Sequence, residues 1–496
     1  MAVLTPELEK ERVRIEKIAK GYGLDFFETI FEIITYDQMN QFAARGGFPV
    51  RYPHWRFGME YEQLSKSYEY GLSKIYEMVI NTDPCYAYLM EGNMVVDQKL
   101  VMAHVYGHCD FFKNNQWFSK TNRKMMDVMA NNSSKVRGLM DKYGIDEVES
   151  FIDLCLSLEN LIDRYRPYVP AKSARPEKDD RNNPGNKLRV DREYMEGYIN
   201  PPEFIEQQRR RAQEDEAKLS KFPPRPEKDI LLFLMYYAPL KSWQQEVLAM
   251  IREEAYYFAP QGMTKIMNEG WASYWHSKMM TTDIATSAEI IDYADHHSGT
   301  MAMSPTGFNP YKVGIELFRD IEERWDKGQF GKEWNECDDV KAKLAWDKKL
   351  GLGRKKIFEI RRDYNDVTFI DEFLTEEFCV KNRMFVYKFN QRTGQYEIET
   401  RNFPAIKKQL LFHLTNFGQP SIQIEDANYE NRGELLMSHA HEGVDMQPNY
   451  MEETLKNVFK VWQRPVHLLT VMDGERHVYS FNGKDYKDSP ISELPK

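Results

Sequence analysis

The sequence predicts an α+β multidomain protein, with a mainly α-helical N-terminal domain over residues 1–350 and an α+β C-terminal domain over residues 365–496. Three observations support this fold class. Apolar residues make up 42% of the 496-residue chain and aromatic residues 13%, which is enough for more than one hydrophobic core. Up to about residue 350 the apolar residues recur at spacings of three and four, the period of an α-helix. Beyond Asp363 they alternate in short segments between turn residues, which is typical of strands.

The N-terminal domain begins with four stretches of helical periodicity between residues 5 and 165. They are LEKERVRIEKIAKGYG, FETIFEIITYDQMNQFA, MEYEQLSKSYEYGLSKIYEMVI and VESFIDLCLSLENLIDRY, with breaks at RYPHWRFG and NTDPCY. A following segment, near 170–228, is rich in proline, asparagine and charged residues, which predicts a surface insertion. Helices resume at Ile230 and continue to about residue 350.

The C-terminal domain has the predicted order ββαββαββ. RMFVYKF and QYEIETR predict a hairpin around NQRTG, and AIKKQLLFHLTNFG predicts a helix that ends at Gly418. SIQIEDA and GELLMSHAH predict two strands, which a helix over 450–462 follows. The last two strands lie in PVHLLTVMDGERHVYSFNGKDYK, where DGE and NGK predict turns.

Composition excludes several classes of protein. The 67 basic and 77 acidic residues give a net charge of −10, which argues against a nucleic-acid partner. No run reaches the roughly 18 apolar residues that would span a bilayer, and the charged N-terminus lacks an apolar signal region. The five cysteines are scattered without any C-x-x-C pair, which is typical of reduced thiols in the cytosol. We therefore expect a cytoplasmic protein without a membrane span.

The stretch MAHVYGHCDFF, residues 102–112, contains the first candidate site residues. On a predicted helix over about 98–112, His104 and His108 share a stripe with apolar residues and point inward. Their Cβ atoms are about 5–6 Å apart, which lets both imidazoles reach one ion about 2 Å away. A hydrogen-bonded pair of core histidines is the alternative. Gly107 weakens the helix, so its presence suggests that another group approaches the backbone closely.

A second stretch, MTKIMNEGWASYWHSKMM, adds a carboxylate. Glu269 and His276 are seven residues apart, so on a helix they share a face, and small residues lie between them as at Gly107. Two such helices pack closely and bring His104, His108 and Glu269 around one point. A buried carboxylate costs several kcal/mol unless it is paired or metal-bound. A divalent cation satisfies it, and so does a plain Glu–His ion pair.

The pattern H-x-x-x-H followed far downstream by E-G-W-A-x-Y resembles the gluzincin metallopeptidases. The resemblance implies a gluzincin-like metal-site core in which zinc is held by His104, His108 and Glu269. It also places the general-base glutamate of that family at Val105, whose side chain accepts no proton. Hydrolysis would need another base, for which His276, Glu60 and Glu62 are the candidates. As a fourth ligand, His276 would instead close the site.

A resemblance that covers residues 20–490 is more specific. Eight motifs carry it, and they occur in this order: HVYGHCDFFKNN, NEGWASYWH, DYADHHSGT, LFRDIEERWDKGQFG, NDVTFIDEFLTEEF, QLLFHLTNFGQP, DANYENRGELLMSHAHEGVD and WQRPVHLLT. Together they resemble the SpoVR (stage V sporulation protein R) family. This resemblance implies a cytoplasmic bacterial protein that is linked, in spore formers, to assembly of the peptidoglycan spore cortex. It implies no established reaction.

These observations lead to two functional hypotheses. The first is a metal-dependent hydrolase of peptide or amide bonds in a cell-wall process. The second is a non-catalytic regulatory or scaffold protein, with a structural or degenerate metal site and a C-terminal domain that docks a protein partner.

Two further histidine pairs have open roles. His296 and His297 either complement a helix C-terminus or face a pocket, and His439 and His441 share one face of a strand, where a second metal site is an alternative to solvent exposure.

Overall fold

The computed structural model describes residues 3–69, 77–169, 201–207, 210, 221–302 and 308–491. The chain forms two compact units: unit 1 is Met1–Glu149 with Tyr256–Gly418, and unit 2 is Ser150–Ala255 with Gln419–Lys496. These units divide the chain at other residues than the predicted domains 1–350 and 365–496, whose boundaries stay a prediction. The insertion predicted near 170–228 lies mostly outside the described residues.

Helices form most of unit 1, and the sheet-rich part of the chain lies toward the C-terminus, which confirms the α+β multidomain class. Among the described residues the α-helices include, in chain order, α1 Pro6–Gly21, α2 Tyr36–Ala44, α3 Trp55–Glu69, α4 Val95–Asn114, α5 Met125–Tyr143, α6 Ile145–Ser157, α7 Ile230–Tyr237, α8 Ser242–Met263, α9 Lys265–Met279, α10 Ile290–Thr300, α11 Pro310–Lys327, α12 Gly331–Asn335, α13 Val340–Leu344, α14 Gly353–Asp363, α15 Asp366–Phe373, α16 Glu376–Lys381, α17 Phe403–Leu414 and α18 Pro448–Trp462.

Unit 1 also contains a three-stranded sheet where the apolar spacing predicts helix. Its strands are β1 Thr29–Ile34, β2 Glu77–Ile80 and β3 Cys85–Met90, in the order β1-β3-β2. β1 pairs with β3 in parallel, and β2 pairs with β3 in an antiparallel register. The helical prediction is wrong here because short, largely apolar segments such as IFEII fit both periods, and pairing with a distant strand decides between them.

The C-terminal elements follow the predicted order with one additional strand. They are the hairpin β4 Val386–Asn390 and β5 Gln395–Thr400, then α17, β6 Ile422–Tyr429 and β7 Glu434–His439, then α18, β8 Val466–Met472, β9 Glu475–Phe481 and β10 Tyr486–Pro490. The hairpin and α17 belong to unit 1, and the later elements belong to unit 2. In unit 2 the five later strands form one sheet in the order β10-β9-β8-β7-β6, and α18 packs on β8 and β9.

Helix α9 lies between α4 and α11 in the core of unit 1, and small residues permit both contacts. A Cβ atom on Gly107 of α4 would lie 2.7 Å from the Cα atom of Ala272 on α9. A Cβ atom on Gly270 would lie 2.5 Å from the backbone of Gly314 on α11. The close approach predicted at Gly107 is therefore confirmed. It brings the side chains of α4 and α9 within contact distance of each other.

Candidate metal centre

The structure brings together the three predicted ligands, His104 and His108 on α4 and Glu269 on α9. Both histidines are only 4% exposed. Their Nε2 atoms face the same carboxylate oxygen, because Glu269 Oε2 lies 3.5 Å from His104 Nε2 and 3.4 Å from His108 Nε2. The two imidazoles thus converge on one point, as the four-residue spacing on a helix permits.

Glu77 completes the cluster, and sequence reasoning missed it. Its Oε1 atom lies 3.2 Å from His104 Nε2 and 3.6 Å from His108 Nε2. Glu77 is the first residue of β2, in a stretch whose apolar spacing predicts a helix. The signal that could have identified it is local, since the β-branched residues of EMVI precede the turn NTDP and the apolar run CYAYLM.

The four side chains fit a divalent cation. Ligands that lie 2.0–2.1 Å from a tetrahedral zinc ion are about 3.3–3.4 Å from one another, and the four N–O distances here are 3.2–3.6 Å. Glu269 Oε2 and His104 Nε2 are buried and have no hydrogen-bond partner among the described residues. Ligand atoms of Glu77, His104 and His108 all lie within 4.8 Å of one another.

Electrostatics couples the four groups strongly. Burial lowers the pKa of His108, but the carboxylates of Glu269 and Glu77 outweigh it and raise that pKa to about 10. Burial raises the pKa of Glu269, yet His108 and His104 hold it well below its usual range. A proton therefore satisfies the cluster as Glu–His ion pairs when no cation is bound. A cation that bound to these side chains would have to displace that proton.

The second ring nitrogen of each histidine has its own partner. His108 Nδ1 lies 2.9 Å from Asn268 Oδ1, and His104 Nδ1 lies 2.7 Å from His276 Nδ1. Such outer bonds fix the tautomer of a ligand, so that Nδ1–H donates and Nε2 is free to bind the ion. His276 Nε2 in turn lies 3.2 Å from His297 Nδ1 on α10. The three rings thus form one chain of hydrogen bonds that begins at the site.

The structure places the predicted catalytic residues as follows. His276 is 4% exposed and contacts the ring nitrogen of His104 that faces away from Glu77 and Glu269. Glu60 on α3 accepts a hydrogen bond from Arg56, and Glu62 pairs with Lys66 on the same helix. The catalytic roles of His276 and Glu60 stay predictions. The position of the gluzincin base is occupied by Val105, which is completely buried.

The outer oxygen of Glu269 contacts a cation beside an aromatic ring. Lys265 Nζ lies 2.5 Å from Glu269 Oε1 and 5.8 Å from the ring centroid of Tyr311. The Tyr311 ring stacks on His104 at 6.2 Å. Burial raises the pKa of Tyr311, and Glu269 and Glu77 add to that shift, so its phenol stays protonated. These contacts hold Glu269 with Oε2 directed at the two histidines.

Comparison with known proteins assigns the chain to a family. The model of the SpoVR like protein family matches residues 3–419, and that of the SpoVR-like C-terminal domain matches residues 420–473. The chain belongs to the SpoVR family. The boundary between the two matches falls beside Gly418, where unit 1 ends. The family resemblance drawn from the eight motifs is therefore confirmed.

A relative of this SpoVR-family chain is the "Uncharacterized protein YcgB" of Escherichia coli (strain K12). The two are 29% identical over 480 residues, which cover 90% of this chain and 88% of the relative. No solved structure matches the chain. None of the described helices is both long enough and apolar enough to cross a membrane.

The histidine pair His439 and His441 has its own hydrogen-bond partners. His439 Nδ1 lies 2.9 Å from Thr470 Oγ1, and His441 Nε2 lies 2.7 Å from Asp445 Oδ1. Each imidazole is thus paired with a neighbouring side chain of the C-terminal sheet region. Within the described residues these histidines join no group of three ligand atoms.

Proposed function

We propose that this SpoVR-family protein binds one zinc ion through His104, His108 and Glu269, with Glu77 beside the ion, and hydrolyses peptide or amide bonds at that site. The observation that supports it is the convergence of two imidazole nitrogens and two carboxylate oxygens, with two of these atoms buried and without hydrogen bonds. When bound, zinc supplies a Lewis acid that polarises a carbonyl and lowers the pKa of water to about 7.

In this proposal the residues of the chain divide the work. His104, His108 and Glu269 hold the ion, and the outer bonds to Asn268 and His276 orient the imidazoles. Val105 supplies no base. Glu77 is the more exposed of the two carboxylates, at 21% against 7% for Glu269, and in the hydrolase it is the group nearest to an incoming water. His276 and Glu60 are the other candidates for the general base.

A non-catalytic regulatory or scaffold protein is the alternative, and one observation favours it. Glu77 lies as close to the two Nε2 atoms as Glu269 does. A structural zinc ion has four protein ligands, whereas a catalytic one keeps an open position. If Glu77 is the fourth ligand, the site is closed.

We also propose that the protein acts in the cytoplasm in a cell-wall process, related to the peptidoglycan of the spore cortex in spore formers. Membership of the SpoVR family supports this proposal. The sheet-rich C-terminal region is the proposed docking site for a protein partner.

Zinc content tests the metal site directly. We expect one zinc ion per chain in the purified full-length protein, and loss of that ion in His104→Ala, because one of two imidazole ligands is removed. His413→Ala is the matched control, since His413 is exposed on α17. The proposal is wrong if the wild type has no stoichiometric transition metal and His104→Ala melts at the same temperature.

Glu77 separates catalysis from structure. In the hydrolase, Glu77→Ala keeps one zinc per chain, and X-ray absorption detects a solvent ligand in both wild type and variant. In the structural alternative, the wild type has four protein ligands, and Glu77→Ala loses one of them and binds zinc more weakly. Four protein ligands in the wild type would count against hydrolysis.

A further inference from the structure

Three polar side chains of unit 2 form a hydrogen-bonded row across the C-terminal sheet. His467 on β8 lies opposite Ser480 on β9 in the strand register, and its Nδ1 atom lies 2.8 Å from Ser480 Oγ. On the other side, His467 Nε2 lies 2.8 Å from Oε2 of Glu434, the first residue of β7. Because β7, β8 and β9 are neighbours in the sheet, one face carries a carboxylate, an imidazole and a hydroxyl in order.

The charge of Glu434 determines the direction of both hydrogen bonds. Arg432 donates two hydrogen bonds to this carboxylate, at 2.7 and 3.1 Å. Together with His467 it holds the pKa of Glu434 below its ordinary value, although burial acts in the opposite direction. An ionised carboxylate only accepts hydrogen bonds, so His467 Nε2 carries a proton. In the neutral imidazole Nδ1 is then an acceptor, and the Ser480 hydroxyl donates to it.

The row lies on the sheet face opposite to α18. Phe481, next to Ser480 on β9, packs on Phe459 of α18 with the ring centroids 5.3 Å apart. Successive side chains of a strand point to opposite faces, so Ser480 faces away from this helix. On β8, Val466 is completely buried, whereas the side chain of His467 is 13% exposed. Ser480 is likewise only half-buried, so solvent reaches this part of the face.

The same face carries a cation and an apolar pair beside Ser480. Lys487 on β10 lies opposite Ser480 in the register, so their Cβ atoms are about 4.5–5.5 Å apart. Leu469 and Val478 form the next cross-strand pair on this face. A positive charge stabilises the oxyanion that forms when a nucleophile attacks a carbonyl carbon, and an apolar pair can contact an acyl chain. These neighbours fit a carboxylic ester.

We propose that Ser480, His467 and Glu434 form a second catalytic centre, which hydrolyses carboxylic esters with an apolar acyl group. A hydroxyl that is bonded to a base, which a third group orients, is the arrangement of serine hydrolases. Ser480 and His467 are the catalytic residues, and Glu434 is a positioning residue that keeps the proton on Nε2. The centre acts without zinc, so the inference goes beyond the proposed function and does not depend on it.

The reaction has two steps, and water is the second reactant. Ser480 Oγ attacks the carbonyl carbon and transfers its proton to His467 Nδ1, while Lys487 stabilises the oxyanion. The bond between that carbon and the alcohol oxygen breaks, His467 gives the proton to the leaving oxygen, and an acyl ester of Ser480 remains. Water then attacks the acyl carbon and gives a proton to His467. The carboxylic acid is released, and Ser480 Oγ takes this proton back.

A fluorophosphonate probe tests the serine directly, because it forms a bond with an activated serine oxygen and releases fluoride. We expect the full-length protein to be labelled on Ser480, as mass spectrometry of the digested protein would identify, and to hydrolyse 4-nitrophenyl butyrate. Ser480→Ala should lose both properties. His467→Asn should be labelled at least about 100-fold more slowly, because the general base is removed.

Glu434→Gln tests the positioning role. Its amide oxygen should stay with the two Arg432 donors, which turns its NH₂ group toward His467 Nε2 and moves the imidazole proton to Nδ1. Nδ1 then cannot accept from Ser480, so we expect labelling to slow at least about 100-fold while the melting temperature changes little. Lys487→Gln should slow ester hydrolysis, because the oxyanion loses its cation; an unchanged rate would contradict this role of Lys487.

Ser489→Ala is the matched control, since Ser489 lies on the same face of β10, opposite Val478; it should keep the labelling rate. Treatment with a zinc chelator should also leave labelling unchanged. No label on Ser480 in the wild type, or an unchanged rate in His467→Asn or Glu434→Gln, would overturn the inference. Zinc content is measured on the same samples: labelled protein without zinc contradicts the proposed function alone, whereas protein with zinc but without the label contradicts this inference alone.

Discussion

At the scale of single residues, the orientation of the two ligand histidines depends on groups that do not face the ion. His108 is oriented by Asn268 and His104 by His276, through distances of 2.9 and 2.7 Å. Burial lowers the pKa of His276 well below its usual range, and neighbouring His104 and His297 add to this. A neutral His276 can accept at Nδ1 and donate at Nε2. It is therefore a positioning residue for His104 in this arrangement.

His276→Phe tests that role. The variant keeps a ring in the core but leaves His104 Nδ1–H without an acceptor, so we expect zinc affinity to fall about 10–100-fold. His276→Asn, which retains an acceptor, should restore part of the affinity. His296→Phe is the control, because His296 bonds to Asp97 instead of joining the chain of three rings. Competition with a zinc chelator measures all four proteins, and unchanged affinity in His276→Phe would contradict the role.

At the scale of secondary-structure elements, the site depends on how closely α4 and α9 approach. Gly107 contacts Ala272 where a larger side chain would separate the helices. Asp366 contacts the N-terminus of α9, since its two carboxylate oxygens accept hydrogen bonds from the Ile266 and Met267 amides at 2.8 and 2.9 Å. An acidic group at a helix N-terminus is favourable because the first amides lack partners within the helix. Glu269 thus lies between two fixed points of α9, the contact of Asp366 with the N-terminus of the helix and the contact of Ala272 with Gly107.

Gly107→Ala should destabilise the protein although alanine is the better helix former. The new Cβ atom would lie 2.7 Å from a backbone atom, and overpacking of this kind costs about 1–3 kcal/mol. Gly138→Ala on α5 is the matched control, because no atom outside the surrounding helix backbone lies within 4 Å of its new Cβ atom and alanine there should stabilise the helix by up to about 1 kcal/mol. Thermal unfolding compares the two variants. A melting temperature for Gly107→Ala at or above that of Gly138→Ala would contradict the packing argument.

At the scale of the whole molecule, the candidate metal centre belongs to unit 1 alone. Its ligands come from residues on both sides of Ser150–Ala255, the segment that contributes to unit 2. His108 and Glu269 are 161 positions apart in the sequence (269 − 108), so a bound ion closes a long loop of chain. Long-range contacts of this kind cost more chain entropy than local ones.

Zinc should therefore protect unit 1 and leave unit 2 unchanged. Hydrogen exchange in β2, α4 and α9 should be slower in the zinc-loaded protein than in the chelator-treated protein. The free energy of opening should rise by about 2.7 kcal/mol when free zinc is 100 times its dissociation constant. Strands β7 to β9 should exchange equally in both states. His104→Ala should show no zinc-dependent protection in either unit. Equal protection of β8 and α4 by zinc would show that the ion acts beyond unit 1.

The sequence by itself determined the features that depend on local periodicity. It predicted the two helices that contain His104, His108 and Glu269, the close contact at Gly107, the order of the C-terminal elements and the family. Only the tertiary structure revealed Glu77, because β2 is a short apolar run whose conformation is decided by pairing with β3. It also decided which ring nitrogen of His104 faces His276 and that the β4–β5 hairpin belongs to unit 1. Helical faces follow from spacing along the chain, whereas the meeting of a strand, two helices and their polar groups depends on contacts between residues distant in sequence.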